Sequence, residues 1–282
     1  MAFITSREML LDAQKNGYAV GAFNVENMEM VRAVLSAAEE ERSPVILQTT
    51  PSTLKYASPE LYAAMVRTEA EAVSVPVCLH LDHGNSYELA ARALRAGYSS
   101  VMIDGSSLPF DENIALASSV VETAHSLGIP VEAELGTIGG KEDSLVSSGP
   151  IYTDPDDALR FAQETGVDTL AVAIGTAHGI YKDEPKIDVD RLSAIRSLVS
   201  IPLVLHGTSG VPAAVVEECV RRGICKVNYA TDLRIAYTEG VRDFLSRDSK
   251  AFDPKKYGLV GMARVTACVK ARMQLLGSVN RI

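Results

Sequence analysis

Three of the five histidines, His83, His178 and His206, are each followed directly by glycine. Each also ends a run of apolar and β-branched residues, where a buried strand typically gives way to a loop. Neutral imidazole is a common zinc ligand, and three protein ligands leave one position open for substrate or water. The pattern therefore predicts one metal site built from three segments. Three unrelated histidines are the alternative, but these would lie scattered on helix surfaces, as His125 does.

Carboxylates accompany these histidines. Asp82 directly precedes the first of them, Asp104 ends the next predicted strand, and Glu132 and Glu134 share one face of the strand after that. Carboxylates beside a divalent cation exchange protons, bind the metal or orient its ligands. A buried carboxylate is costly unless it is paired or metal-bound, which favours such a role. Asp104 also fits an ordinary Asp-Gly-Ser turn, and His80 is expected inside the fold or behind the ligands.

Eight segments rich in Val, Ile, Leu and Ala recur along the chain, with helical periodicity between most of them. Strand–helix units repeated eight times predict a closed parallel (β/α)8 barrel, the TIM barrel, with its chemistry at the carboxyl ends of the strands. An open doubly wound sheet is disfavoured because no GxGxxG follows the first strand. The predicted strands are Ala19–Val25, Pro44–Thr50, Pro76–His83, Ser100–Ser106, Pro130–Gly136, Thr169–Thr176, Pro202–Ser209 and Cys225–Thr231. The predicted helices are Asn27–Glu41, Tyr87–Ala96, Ile114–Leu127, Pro155–Thr165 and Pro212–Arg222.

Composition narrows the class of protein. No linker divides the 282 residues, so we expect one barrel domain, 1–282, with a helical extension over about 255–282. A net charge of −9 argues against nucleic acid or an anionic membrane as partner. The four cysteines contain no CxxC pair and indicate reduced core residues. No apolar run reaches about 18 residues, and we expect a cytoplasmic protein.

Five motifs resemble the class II, metal-dependent ketose-bisphosphate aldolases. The resemblance spans nearly the whole chain, from Ala22-Phe-Asn24 to Gly277-Ser-x-Asn-Arg-Ile282. The compact length and this closing motif make the tagatose-bisphosphate branch the most similar. The motifs are Leu79-His-Leu-Asp-His-Gly, Val131-Glu-Ala-Glu-Leu-Gly-x-x-Gly-Gly, Ala173-Ile-Gly-Thr-Ala-His-Gly, Leu203-Val-Leu-His-Gly-x-Ser-Gly and Lys226-Val-Asn.

The resemblance implies a lyase that holds Zn²⁺ through His83, His178 and His206. It implies reversible cleavage of a ketose 1,6-bisphosphate, tagatose 1,6-bisphosphate above others, to dihydroxyacetone phosphate and glyceraldehyde 3-phosphate. Asp82 is then the acid–base residue on the C4 hydroxyl. Zinc acts as a Lewis acid for the negative charge left on the dihydroxyacetone phosphate fragment.

Further carboxylates are assigned by the same resemblance. Asp104 and Glu134 match an alternative metal site of fructose-bisphosphate relatives. Glu142 matches a lid carboxylate that exchanges the dihydroxyacetone phosphate proton. The lid is the glycine- and serine-rich stretch 137–154, the longest irregular stretch predicted, and we expect it to be mobile without substrate.

The last two predicted strands end in small and polar residues, Gly207-Thr-Ser-Gly210 and Asn228-Tyr-Ala-Thr231. Barrel loops at these two positions frequently bind phosphate through backbone N–H groups. The resemblance also implies phosphate binding by these two loops. It allows a monovalent cation near the phosphate, and it assigns Lys182 as a further positive charge there. Thr208 departs from relatives, which often carry Ala or Gly there. The substrate and phosphate residues are Asn24, Ser52, Gly179, Lys182, Gly207, Thr208, Ser209, Asn228, Tyr229, Ala230 and Thr231.

Three rival functions stay open. A Schiff-base aldolase needs a desolvated lysine, and Lys226 shares a strand face with Asn228. That mechanism leaves the three histidines without a purpose. A non-catalytic barrel that assists an active partner is expected to lose metal ligands or Asp82, and this chain keeps them. A zinc hydrolase on the same barrel would not need a phosphate cradle.

The substrate beyond its class is not encoded in these motifs. Tagatose 1,6-bisphosphate and fructose 1,6-bisphosphate differ only in the orientation of the C4 hydroxyl. A 6-sulfo sugar differs from them in its terminal group. The segment from Gln48 to Ser52 is the candidate for binding the distal anion. As assembly partners the resemblance implies further copies of the chain, in a homodimer or homotetramer, and a companion subunit of related fold.

Overall fold

The computed structural model describes residues 3–142, 145–147, 151–179, 181 and 185–282, without the side chains of 141, 142 and 145–147. The strands are β1 Val20–Asn24, β2 Val45–Thr49, β3 Val77–Gly84, β4 Ser100–Ile103, β5 Val131–Leu135, β6 Gly139–Glu142, β7 Leu145–Ser147, β8 Thr169–Val172, β9 Ala177–His178, β10 Leu203–Leu205 and β11 Ile224–Tyr229. The helices are α1 Ser6–Asn16, α2 Met28–Glu41, α3 Pro51–Tyr56, α4 Pro59–Ala70, α5 Tyr87–Ala96, α6 Phe110–Ser126, α7 Pro155–Thr165, α8 Val189–Leu198, α9 Ala213–Arg221, α10 Thr231–Arg247 and α11 Pro254–Leu276.

Eight parallel strands close into a barrel in the order β1, β11, β10, β8, β5, β4, β3, β2. The strands are buried over their whole length, because apolar residues of the surrounding helices cover their outer faces. The predicted TIM barrel is confirmed, and each of its strands lies within a predicted segment or within one residue of it. The helix that ends the chain, α11, packs against α10 and α2 through a face that includes Val265, Val269 and Met273.

Periodicity did not indicate α1, α3, α4, α8 and α10. The reason is plainest in α10, which buries only Leu233 and Gly240 among its residues, and in α8, which buries only Leu192 and Ile195. A helix with so narrow an apolar stripe carries little of the 3.6-residue signal that marks an amphipathic helix.

The stretch 137–154 is less irregular than predicted. Within it β6 and β7 form an antiparallel pair, and β6 also pairs in parallel with β9, so that Gly140 lies beside His178. The sixth barrel strand, β8, ends at Val172, earlier than the predicted Thr176. His178 therefore belongs to a small three-stranded sheet above the barrel and not to a barrel strand itself. The mobility expected of the lid concerns residues that lie partly outside the described ones.

The barrel interior changes from apolar to polar along its axis. At the amino-terminal end, α1 contributes Met9 and Leu10 to a cluster with inward side chains of four strands, among them Ile46 and Cys78. Because side chains alternate between faces, the next inward residues on the same strands point into the barrel above this cluster. These are polar or ionisable and buried: Gln48, His80, Asp82, Asn24, Lys226 and Asn228.

No helix among the described residues combines the length and the apolar character needed to cross a membrane.

Candidate active site

Three imidazoles meet at the carboxyl-terminal mouth of the barrel. The possible ligand atoms of His83, His178 and His206 all lie within 4.8 Å of one another. The ring centroid of His83 lies 4.7 Å from that of His206 and 5.1 Å from that of His178. Three imidazoles at this spacing are a donor set typical of a zinc site with one open position. The expected convergence of the three histidines is present.

His83 is held in place by its backbone and by a carboxylate. Its φ of +48° is left-handed, which is uncommon outside glycine and coincides with a register shift between β3 and β4. Asp104 Oδ2 lies 2.7 Å from His83 Nδ1, and a carboxylate in this position fixes the orientation of a ligating ring. Burial alone would raise the pKa of Asp104, but the hydrogen bond and charge of His83 lower this pKa to about 2.

His206 lies between two carboxylates in the barrel interior. Its Nδ1 is 3.0 Å from Glu134 Oε2 and its Nε2 is 3.0 Å from Glu132 Oε1. Burial opposes the charged imidazole, yet these two hydrogen bonds raise the pKa of His206 to about 9. Both ring nitrogens contact carboxylates, so a cation at the three imidazoles would replace one of these contacts.

A second group of ligand atoms overlaps the first. His83, Asp104 and Glu134 also have ligand atoms within 4.8 Å of one another. The resemblance implied an alternative metal site at Asp104 and Glu134, and the structure places both carboxylates beside His83. His83 belongs to both groups, so the two candidate positions are neighbours.

Asp82 is oriented by three amide groups. Its Oδ1 accepts a hydrogen bond from Asn228 Nδ2 at 2.9 Å. Its Oδ2 accepts one from Asn24 Nδ2 at 2.8 Å and one from Gln48 Nε2 at 3.1 Å. These three N–H donors satisfy both oxygens of the buried carboxylate. His83 Nε2 lies 3.9 Å from Asp82 Oδ1, so the carboxylate stands beside the imidazole cluster.

Gln48 is placed differently from its predicted position near the distal anion. It is fully buried, and its amide also donates to Asn24 Oδ1 at 2.8 Å, so it acts within the Asp82 network. Ser52, predicted to contact substrate, lies in the first turn of α3, where its hydroxyl is 3.1 Å from that of Thr50. Period two would have shown that Gln48 points into the barrel, because it lies two residues beyond Ile46.

A cleft that is partly open to solvent lies beside His178 and Asp82. It gathers most of the predicted phosphate residues. Tyr229 is an exception, because its ring is buried and stacks on Phe23 at 5.9 Å. Lys182 and the side chain of Glu142 lie outside the described residues. The lining residues are Asn24, Asp82, His178, Gly179, Gly207, Thr208, Ser209, Asn228, Ala230, Thr231 and Arg234, of which only Arg234 was missed by the sequence analysis.

Close main-chain contact shapes the cleft beside His178. Gly207 has a φ of +63°, and a Cβ there would lie 2.7 Å from the backbone carbon and oxygen of Ala177. The Tyr181 hydroxyl bridges the same segments: it accepts from Ala177 N–H at 2.6 Å and donates to the Gly207 carbonyl at 2.7 Å. Only glycine allows this approach at this φ. The role of Tyr181 left no signal in the sequence.

Lys226 forms a buried ion pair with Glu132. Its side chain is 1% exposed, and its Nζ lies 3.0 Å from Glu132 Oε1 and 2.8 Å from Asn228 Oδ1. Burial alone would raise the pKa of Glu132, but the charge of Lys226 holds it well below the usual range. Lys226 does not line the cleft. A Schiff-base nucleophile must reach the substrate, and this lysine is instead buried beside Glu132.

His80 was expected either inside the fold or behind the proposed metal ligands, and it is buried behind the ligands. Its Nδ1 is 2.8 Å from Ser100 Oγ, and its Nε2 is 3.9 Å from Glu132 Oε2. Burial, reinforced by the charge of Lys226, lowers the pKa of His80 well below its ordinary value, so the ring is neutral.

Residues 4–281 match the family of class-II fructose-bisphosphate aldolases. The chain is 37% identical to the YdjI aldolase from Escherichia coli K12, with a TM-score of 0.89 and 99% of each chain covered. It is 30% identical to a candidate fructose-1,6-biphosphate aldolase from Coccidioides immitis, with a TM-score of 0.90 over 97% of this chain and 96% of that one. A fructose-bisphosphate aldolase from Campylobacter jejuni, at 22% identity, shares the fold with a TM-score of 0.86 over 100% and 97% of the two chains.

A metal-dependent lyase needs what the barrel mouth contains, namely a cluster of imidazoles beside an oriented carboxylate. The chain therefore belongs to the class II fructose-bisphosphate aldolase family of carbon–carbon lyases.

Proposed function

We propose that the protein is a zinc-dependent aldolase that reversibly cleaves tagatose 1,6-bisphosphate to dihydroxyacetone phosphate and glyceraldehyde 3-phosphate. One observation carries the proposal. Asp82, held by three amides, lies beside the three imidazoles and lines the same cleft as the glycine and serine loops. Proton removal, metal ligation and phosphate binding are the three requirements of this reaction, and the residues proposed for them lie in or beside this cleft.

His83, His178 and His206 are the proposed metal ligands. When bound, zinc supplies Lewis-acid stabilisation of the negative charge left on the three-carbon fragment. The protein's own part is to hold the ligands rigidly. Asp104 and the Glu132–Glu134 pair do so for His83 and His206. Asp104 and Glu134 with His83 are the proposed alternative metal position.

Asp82 is the proposed acid–base residue. In the cleavage direction it takes the proton from the C4 hydroxyl as the C3–C4 bond breaks, and in the reverse direction it returns that proton to the oxygen. The amides of Asn24 and Asn228 keep both carboxylate oxygens in position. Glu142 is the proposed group that exchanges the proton at the carbon of dihydroxyacetone phosphate.

The loops after β10 and β11 are the proposed phosphate site. Gly179, Gly207 and Ser209 line the cleft together with the start of α10 at Thr231. Main-chain N–H groups in such loops, together with the positive end of a helix dipole, favour a phosphate dianion. A monovalent cation near the phosphate and the charge of Lys182 belong to the same proposal.

The wider proposal is one barrel domain over 1–282 that assembles with its own copies in the cytoplasm, with a companion subunit as a further partner. The buried lysine disfavours a Schiff-base enzyme, and the intact imidazoles with Asp82 disfavour a non-catalytic barrel.

The test is a cleavage assay on purified, zinc-loaded protein with tagatose 1,6-bisphosphate, fructose 1,6-bisphosphate and a 6-sulfo ketose 1-phosphate. We expect the highest kcat/KM for the tagatose ester, and we expect a chelator to remove activity that added zinc restores. Activity that survives chelation would contradict metal dependence. A preference for another ester would correct the substrate, and loss of all cleavage in fully loaded protein would support the non-catalytic alternative.

A further inference from the structure

Lys226 lies below the cleft and contacts one of the residues that line it. It is on β11, two residues before Asn228, and both side chains point into the barrel because alternate residues of a strand share a face. Asn228 lines the cleft together with Asp82, whereas Lys226 does not. The ammonium of Lys226 donates to Asn228 Oδ1 at 2.8 Å and to Glu132 Oε1 at 3.0 Å. Lys226 can therefore influence the cleft through its contact with Asn228.

The direction of the Asn228 amide decides what Asp82 receives. A side-chain amide carries an acceptor oxygen on one arm and two N–H donors on the other, and the two arms have nearly the same shape. Asn228 Nδ2 donates to Asp82 Oδ1 at 2.9 Å. Half a turn of the amide would place its oxygen against the carboxylate oxygen, and Asp82 Oδ1 would lose this donor. The arm that faces Lys226 therefore sets the arm that faces Asp82.

The ammonium of Lys226 permits only one of these two directions. An ammonium offers donors and no acceptor, so it pairs with the amide oxygen and repels the amide N–H groups. The ammonium is itself held by Glu132, which lies on β5, three strands away in the barrel order β11, β10, β8, β5. Both groups are buried, at 1% and 2% exposure, so water does not offer the amide another partner there.

The other oxygen of Asp82 is held by amides alone. Asp82 Oδ2 accepts from Asn24 Nδ2 and from Gln48 Nε2. Gln48 Nε2 also donates to Asn24 Oδ1, and this contact turns the Asn24 amide so that its nitrogen faces the carboxylate. Lys226 does for Asn228 what Gln48 does for Asn24. The two oxygens of Asp82 thus have matching arrangements, in which a second donor fixes the direction of the first amide.

We propose that Lys226 is a positioning residue of the cleavage step, which fixes the Asn228 amide in the direction that donates to Asp82 Oδ1. The inference rests on the proposed function for the identity of the reaction. With this donor in place, the carboxylate keeps one orientation at the cleft while it takes up and returns a proton. Without it, the amide is free to turn, and the productive orientation of Asp82 is less populated.

The first measurement is a double-mutant cycle in kcat for cleavage, on protein with full zinc occupancy. Lys226→Met nearly keeps the side-chain length and has no N–H donor. It should lower kcat about 10- to 100-fold, the range for loss of one hydrogen bond to a charged group, with KM nearly unchanged. Because Lys226 acts through Asn228, adding Lys226→Met to Asn228→Ala should lower kcat by less than about twofold further. Lys226→Gln, which restores an N–H donor, should recover part of kcat.

The second measurement does not depend on activity. The side-chain amide signal of Asn228 is assigned in the ¹⁵N NMR spectrum by its absence from Asn228→Ala. Its hydrogen exchange with water should be at least about tenfold faster in Lys226→Met than in the wild type, because the amide no longer has a fixed direction. If Lys226→Met is too unstable to study, both measurements are made in the Glu132→Gln background, in which no carboxylate is left unpaired, with Glu132→Gln as the reference.

Thr169→Val is the matched control. Thr169 is buried and its Oγ1 donates to Glu132 Oε2 at 3.3 Å, so the variant removes a contact of Glu132 and leaves Asn228 untouched. It should keep kcat and the exchange rate of the Asn228 amide within about twofold of the wild type.

The inference fails if Lys226→Met behaves as Thr169→Val does. It also fails if the kcat losses of Lys226→Met and Asn228→Ala multiply in the double variant, because Lys226 would then act through Glu132. If the wild type cleaves no ketose bisphosphate but exchange of the Asn228 amide still depends on Lys226, the proposed function fails and the orienting role of Lys226 stands.

Discussion

The two halves of the barrel mouth hold charge in different ways. The metal half consists of His83, Asp104, Glu134 and His206, which are buried or nearly so and joined by hydrogen bonds of 2.7 and 3.0 Å. The phosphate half, named for its proposed ligand, consists of the loops after β10 and β11, where Gly207 and its neighbours offer small side chains and main-chain N–H groups. The first half is built from side-chain chemistry and the second largely from backbone shape.

The difference follows from the cost of burial. A buried carboxylate or imidazole is stable only when an opposite charge or hydrogen bond compensates it. The metal half therefore needs several ionisable groups at once, each compensating another. A loop that binds phosphate needs close approach and a suitable φ, which glycine provides without adding charge. Substitutions in the two halves should accordingly fail in different ways.

The largest effect is expected from a proposed metal ligand. His206→Ala removes one of three imidazoles and leaves Glu132 and Glu134 facing each other across a cavity. Zinc retention and cleavage should both fall to background, because three protein ligands are needed to hold the ion. Zinc content by atomic spectroscopy and a cleavage assay check this. His125→Ala, on the outer surface of α6, is the control and should retain both. Normal zinc retention in His206→Ala would remove this residue from the ligand set.

Asp82→Asn should lose catalysis while keeping the metal. General acid–base catalysis contributes roughly 10²–10⁴-fold, so cleavage should fall by at least about the lower figure at full zinc occupancy. Proton exchange at dihydroxyacetone phosphate should fall less, and Glu142→Gln should show the reverse imbalance. Cleavage, exchange and bound zinc are measured on the same preparations. Equal losses in both reactions that follow lost zinc would make Asp82 a residue that only orients the metal half.

Lys226 connects the two halves from below. It binds Glu132, which contacts His206, and Asn228, which contacts Asp82. Lys226→Met leaves the buried carboxylate of Glu132 without its cation, so the free energy of unfolding should fall by about 3–5 kcal/mol. The double variant Lys226→Met/Glu132→Gln removes both charges and should recover most of that loss. Urea unfolding of the metal-free proteins measures the coupling. If the losses of unfolding free energy in Lys226→Met and Glu132→Gln simply add up in the double variant, the ion pair itself contributes nothing to stability.

Residue type made the metal half predictable from the sequence. A histidine or aspartate at the end of a buried strand is costly unless it is paired or bound to a metal, and period two placed Glu132 and Glu134 on one inward face. The barrel followed from eight repeated units. Prediction failed where geometry depends on the backbone. His178 was expected on a barrel strand and lies on β9, because the chain leaves the barrel at Val172 and returns through the small sheet.

Arg234 was missed for a related reason. The helix that carries it buries little, so an arginine there resembles any other solvated charge. Only the closed barrel shows that the first turn of α10 borders the same cleft as Gly207 and Ser209. Gln48 was grouped with Ser52 as a candidate for the distal anion, and it lies within β2 with its side chain directed inward to Asp82.

The smallest effect, and the one that tests where the two halves meet, is expected from Gly207→Ala. Its φ of +63° nearly equals the +66° of Gly17, the residue that ends α1. Alanine at either position bears the cost of a left-handed residue, about 1–2 kcal/mol. The surroundings differ, because a Cβ at Gly17 meets nothing within 4 Å, whereas at Gly207 it lies 2.7 Å from backbone atoms of Ala177.

Gly17→Ala is therefore a control for backbone strain alone. Overpacking of a tight contact costs about 1–3 kcal/mol, and at Gly207 the strain falls on Ala177, the residue before His178. We expect Gly207→Ala to weaken dihydroxyacetone phosphate binding by roughly tenfold beyond the control, and to weaken zinc binding as well. Calorimetry with each ligand on both variants decides the matter. If phosphate affinity falls while zinc affinity stays at the level of Gly17→Ala, strain at Ala177 of β9 does not pass from the phosphate half to the metal half. If both variants behave alike, the close approach at Gly207 does not matter to either half.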